Sequence, residues 1–102
     1  MTAFIANTNV LQLEGLKNSR TGEFINDADV EVTIKRAGAE IAGETWPLAM
    51  SYVADSDGDY VAILSHELPF TRADHIAIID ANGGDDLIGH WEFAFRPLVR
   101  VG

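Results

Sequence analysis

Asp55, Asp57 and Asp59 stand at alternate positions in one short polar segment. A loop so rich in carboxylate oxygen is what a hard cation such as calcium takes as its ligands. If this chain holds a metal cofactor, calcium is the expected ion, and these three residues are its expected ligands. A twelve-residue calcium loop beginning at Asp55 would need glycine at its sixth position and glutamate at its twelfth, where Tyr60 and His66 stand instead. The other reading is a hairpin turn, with Gly58 at positive φ and the aspartates turned to water.

Other reactive side chains are sparse. His66, His75 and His90 are separated by nine and fifteen positions, so none forms a local zinc-binding pair. A hairpin turned at 82–86 could bring His75 and His90 together, beside Asp74 or Glu92, as a proton-transfer pair. The plainer expectation is two ordinary half-exposed strand histidines. Ser19, Ser51, Ser56 and Ser65 all lie outside a Gly-x-Ser-x-Gly elbow. Ser65 and His66 are adjacent, and neighbours in an extended chain point to opposite sides. Cysteine is absent, which removes thiolate chemistry, disulfides and sulfur-ligated metals together. No glycine-rich phosphate loop opens a helix. The expectation is a protein that is not an enzyme.

The elements that would position these residues are strands. Val30, Val32 and Ile34 alternate with Glu31, Thr33 and Lys35 between Asp29 and Arg36, as in a strand with one buried face. Leu11 and Leu13 give an earlier strand, and Trp46, Leu48, Met50 and Tyr52 share a face of a third. Tyr60–Leu64 and His75–Ile79 are apolar on both sides and read as central. Trp91, Phe93 and Phe95 alternate in a last long strand, beyond which Pro97 interrupts and 98–101 can continue as an edge. With Trp46 and Tyr52 these aromatics could form a sugar-stacking platform, but alternate strand positions favour the core. The Tyr60 hydroxyl is expected to bond a nearby backbone group. Turn residues at 21–22, 37–38, 55–59 and 82–86 join the runs, and the segment 65–74 is too short and broken for a stable helix. The expected fold is all-β, an antiparallel sandwich of about six to eight strands.

A chain of 102 residues, 47% hydrophobic, suits one core. The expected division is an N-terminal arm over 1–8 and a single domain over 9–102. Seven basic against sixteen acidic residues leave a net charge of −9, which repels nucleic-acid phosphates and anionic membrane surfaces. A basic protein partner suits it better. Neither a signal-peptide pattern nor a run of membrane-spanning length is visible, so synthesis in the cytoplasm is expected.

Three pieces, read in order, resemble small immunoglobulin-like domains of phage and prophage structural regions. They are the opening strand 22–32, the Asp-x-x-Gly-x-Tyr hairpin of 55–62 and the closing aromatic strand 87–96. Together they frame about three-quarters of the chain. Similar pieces occur in bacterial surface and carboxypeptidase-regulatory domains, and the cysteine pair of antibody domains is missing. The resemblance implies an immunoglobulin-like sandwich and a non-enzymatic virion or assembly component. The alternative it leaves is an accessory module of a bacterial surface protein that binds calcium or a carbohydrate. Apolar residues at both ends, Phe4–Ile5 and Leu98–Val101, point to docking on a protein partner or to a homo-oligomer, against the alternative that both ends fold back on their own domain.

Overall fold

The strand with the cleanest alternation is the middle of the molecule. In a computed structural model that describes residues 2–84 and 87–100, Val30, Val32 and Ile34 are buried, while Asp29 and Glu31 face water. They lie on β2 (Asp29–Arg36), whose β-branched residues suit a pleated half-buried surface. One edge of β2 pairs with β6 (His75–Asn82) over all eight residues. Its other edge is shared by β3 (Ala39–Glu40) and β4 (Leu48–Tyr52). The turn from β2 to β3 uses Ala37 and Gly38 at φ of 53° and 80°, the two consecutive positive values of a tight hairpin.

β4 carries the sheet around a corner. Leu48, Ala49 and Met50 pair with β2, whereas Ser51 and Tyr52 pair with β5 (Tyr60–Leu64). β5 in turn pairs with β1 (Asn9–Leu13), and β6 with β7 (Ile88–Phe95). The order is β1-β5-β4-β2-β6-β7, every pairing among these strands antiparallel, with β3 beside β2. The fold is therefore all-β, and the seven strands of the described residues fall within the expected number.

Because the sheet curls, its two ends bury the same cluster. Leu11, Tyr60 and Leu64 enter from one end; Val32, Ile34, Ala77, Ile79 and Phe95 enter from the other. The segment 65–74 contributes Leu68 and Phe70 to this core from an irregular path. Phe70 meets the rings of His75 and Phe95 edge-on. β5 and β6 lie between two neighbours each, as their apolar sequences suggest, but Ile63 and Ile76 are exposed. No second layer covers the outer face of either strand among the described residues.

The segment 1–8, expected as an arm, is joined to the domain in its described part, residues 2–8. Ala3 is buried in the core, and Phe4 forms a parallel bridge with Leu98. The Ile5 amide donates to the Leu98 carbonyl at 2.8 Å, and the Leu98 amide to that of Ala3 at 2.9 Å. The buried Asn9 amide side chain receives the Phe4 amide and donates to the Phe4 carbonyl. Ala3, Ile5 and Leu98 thereby satisfy one another's backbone groups. Met1, Val101 and Gly102 lie outside the described residues.

Candidate functional site

The acidic loop is a buckle between two connections. The Ser56 hydroxyl donates to the Val53 carbonyl at 2.6 Å and accepts from the Asp59 amide at 3.2 Å. Gly58 has φ of 72° and is buried against the segment after β1. A Cβ there would stand 2.5 Å from the Leu16 carbonyl oxygen, so only glycine fits. The Gly58 amide donates to Asn26 Oδ1, and its carbonyl accepts from the Leu16 amide, each at 2.9 Å.

Of the three predicted ligands, Asp59 is half-buried and accepts the Gly15 amide at 2.9 Å. Asp55 and Asp57 are exposed, with Asp55 itself at positive φ. Among the described residues, no group of three His, Asp or Glu side chains is arranged to hold a metal ion. Asp85 and Asp86, the other acidic pair of the loop ends, lie outside the described residues.

Tyr60 closes the buckle as expected. Its hydroxyl donates to the Ile25 carbonyl at 2.7 Å and accepts from the Ala28 amide at 3.1 Å. Burial pushes its pKa up, assisted by the charges of Asp27 and Tyr52, while the hydrogen bond from Ala28 opposes the shift.

The proton-transfer pair does not form. In the β6–β7 ladder His75 lies opposite Phe95, while His90 lies opposite Asp80 five residues along β6. His75 points inward and His90 outward. His75 is fully buried, stacked on Phe95 at 5.4 Å between centroids, with Nδ1 2.8 Å from the Ala73 carbonyl. Its Nε2 has no partner among the described residues. On the outer face His90 sits between two carboxylates, with Nδ1 2.5 Å from Asp80 and Nε2 2.9 Å from Glu92. The hydrogen bond to Asp80, and then that to Glu92, raises its pKa. Asp74 binds the Arg96 guanidinium instead, and His66 is exposed.

The aromatic stripe is graded. Phe95 is buried and Phe93 half-buried, but Trp91 is 39% exposed. Ala81 and Gly89, opposed near the hairpin end, bring little bulk to this part of the face. The Trp91 ring lies over Gly89 so closely that a Cβ on that glycine would meet its Cη2 at 2.4 Å. The ring borders a cleft of about 300 Å³, shared with Ile25, Lys17, Ser19 and Arg20 across from the hairpin.

β7 pairs only with β6, so its other edge carries unpaired backbone donors and acceptors among the described residues. Sequence reasoning placed an edge strand later, at 98–101, and missed this one. The signal for it is that Ile88–Phe95 follows the last hairpin turn and contains neither lysine nor proline.

Comparison with protein-family models, with curated proteins and with solved structures found no match. The likeness of 22–96 to phage domains has no counterpart there, and function rests on the geometry.

Proposed function

We propose that this protein is a non-catalytic structural or interaction module that works through its surface, the curled sheet being an immunoglobulin-like sandwich closed over one core. The unpaired edge of β7, with Ile88 69% exposed and Trp91 beside it, carries this reading. Edge strands of stable monomers are usually short, charged, bulged or covered, because an open one templates pairing with another chain. β7 is eight residues long and has only His90 and Glu92 as titratable side chains. Nucleic acid and an anionic membrane present negative charge throughout to a chain of net charge −9, whereas a protein partner can bring opposite charge locally to the strand edge. The resemblance to phage domains supplies a setting, that of a virion or assembly component.

The test is capture of partners from the native host by tagged wild-type chain and by the Ile88→Lys/Trp91→Lys double variant. A specific protein, of any sequence, retained by the wild type and lost by an equally folded variant supports the reading. Equal retention by both overturns it.

The Trp91 ring beside Lys17, Ser19 and Arg20 favours one second reading, an accessory module that takes a carbohydrate in this cleft. Trp91 fluorescence that stays unchanged across a panel of glycans removes that version. For the calcium version, a melting temperature unmoved by millimolar calcium is the corresponding negative.

A further inference from the structure

The free edge of β7 complements itself. In an antiparallel pair, directly opposed side chains share a face, and a two-fold axis through the sheet keeps the faces of both copies. Outer-face residues Ile88, His90, Glu92 and Ala94 therefore oppose one another, as do inner-face Gly89, Trp91 and Phe93. Centring the axis on Glu92 would oppose two glutamates. Centring it on His90 would oppose two histidines and set Glu92 against Ile88. Centring it on Trp91 sets His90 against Glu92, Ile88 against Ala94, and the side-chain-free Gly89 against Phe93.

We propose that two copies of this chain join through β7, antiparallel about an axis at Trp91, so that His90 of each copy faces Glu92 of the other. The proposal rests on the reading of β7 as the interaction surface and names its partner. β1, at the other end of the sheet, offers no such match. It has five residues, and pairing about Leu11 would oppose Val10 to Gln12 and Asn9 to Leu13 without opposite charges.

The natural chain has no cysteine, so single cysteines report the register directly. In Trp91→Cys the two new thiols lie on directly opposed residues, whose Cα atoms are about 4.5–5.5 Å apart, within disulfide reach. In Phe93→Cys they are four residues out of register, roughly 13 Å apart. Oxidation of the full chain is expected to cross-link the first variant and not the second. If Trp91→Cys fails to fold, a mixture of His90→Cys and Glu92→Cys replaces it. That mixture is expected to cross-link where each variant alone does not.

By light scattering, the wild type at hundreds of micromolar is expected to run at twice the chain mass. Glu92→Lys is expected to weaken association on the order of tenfold, since two cross-strand pairs are lost. The His90→Glu/Glu92→Lys exchange is expected to restore it. A folded wild type that stays monomeric, or a Phe93→Cys variant that cross-links as readily as Trp91→Cys, overturns self-pairing. In either event, loss of a different captured protein in the Ile88→Lys/Trp91→Lys variant would still uphold the wider reading of β7.

Discussion

On the outer face of β7, His90 is the residue whose ionisation its neighbours favour. Its imidazole is held between Asp80 and Glu92, and both hydrogen bonds favour the protonated ring, so its folded pKa lies above the ordinary value of 6.5. The stabilisation from these contacts is fully present below roughly pH 6.5, the unfolded value, and is lost as pH rises through the folded pKa. A nuclear magnetic resonance titration of the imidazole is expected to show the raised midpoint. Asp80→Asn is expected to bring it down, because the first of the two partners then carries no charge. A midpoint unmoved by that substitution would remove Asp80 as the cause. His75 offers the contrast: packed between Phe70 and Phe95, it serves the core and touches no carboxylate among the described residues.

At the scale of the element, the β2–β3 hairpin combines a favourable turn with an unfavourable residue. Ala37 occupies the left-handed region at φ of 53°, where its Cβ crowds the backbone at a cost of roughly 1–2 kcal/mol. Gly38, which follows at 80°, has no such cost. Ala37 is exposed, so replacing it disturbs no packing. Ala37→Asn is expected to stabilise the fold by about 0.5–1 kcal/mol, read as a higher urea midpoint with unchanged slope, since asparagine tolerates this conformation. A midpoint that falls would show that the turn is held by something other than local backbone preference. The alternation of β2 itself was fully legible, because one face meets the core along its whole length. That of β7 was legible as a strand but not in its degree of burial. Ala81 and Gly89, the small pair beside the Trp91 ring, meet across the ladder from eight positions apart in sequence, and no period along β7 reports that pairing.

Across the whole molecule, the joined ends decide whether the first residues are dispensable. Deleting 1–6 removes Ala3 from the core, strips the bridge to Leu98 and leaves the buried Asn9 side chain without Phe4. Loss of those contacts, with Asn9 Oδ1 left without its donor, is expected to lower stability by about 2–4 kcal/mol. Urea unfolding followed by circular dichroism measures it. Unchanged stability would instead favour an arm that stands apart from the domain.

The sequence by itself determined what depends on near neighbours. Alternation of apolar residues gave the strands, Gly38 and Gly58 marked turns, and the absence of cysteine removed whole classes of chemistry. The backbone role of Tyr60 was also visible, since a buried hydroxyl needs a partner. What depends on register and on the curl of the sheet came from the assembled strands. A ladder that sets His75 against Phe95 separates two histidines that a hairpin could have joined, and places Asp80 beside His90 in their stead. On the same face of one strand, Phe95 is buried and Trp91 exposed. Strand pairing also left β7, like β1, with one neighbour among the described residues, because which strands lack a second neighbour is a property of the assembled sheet.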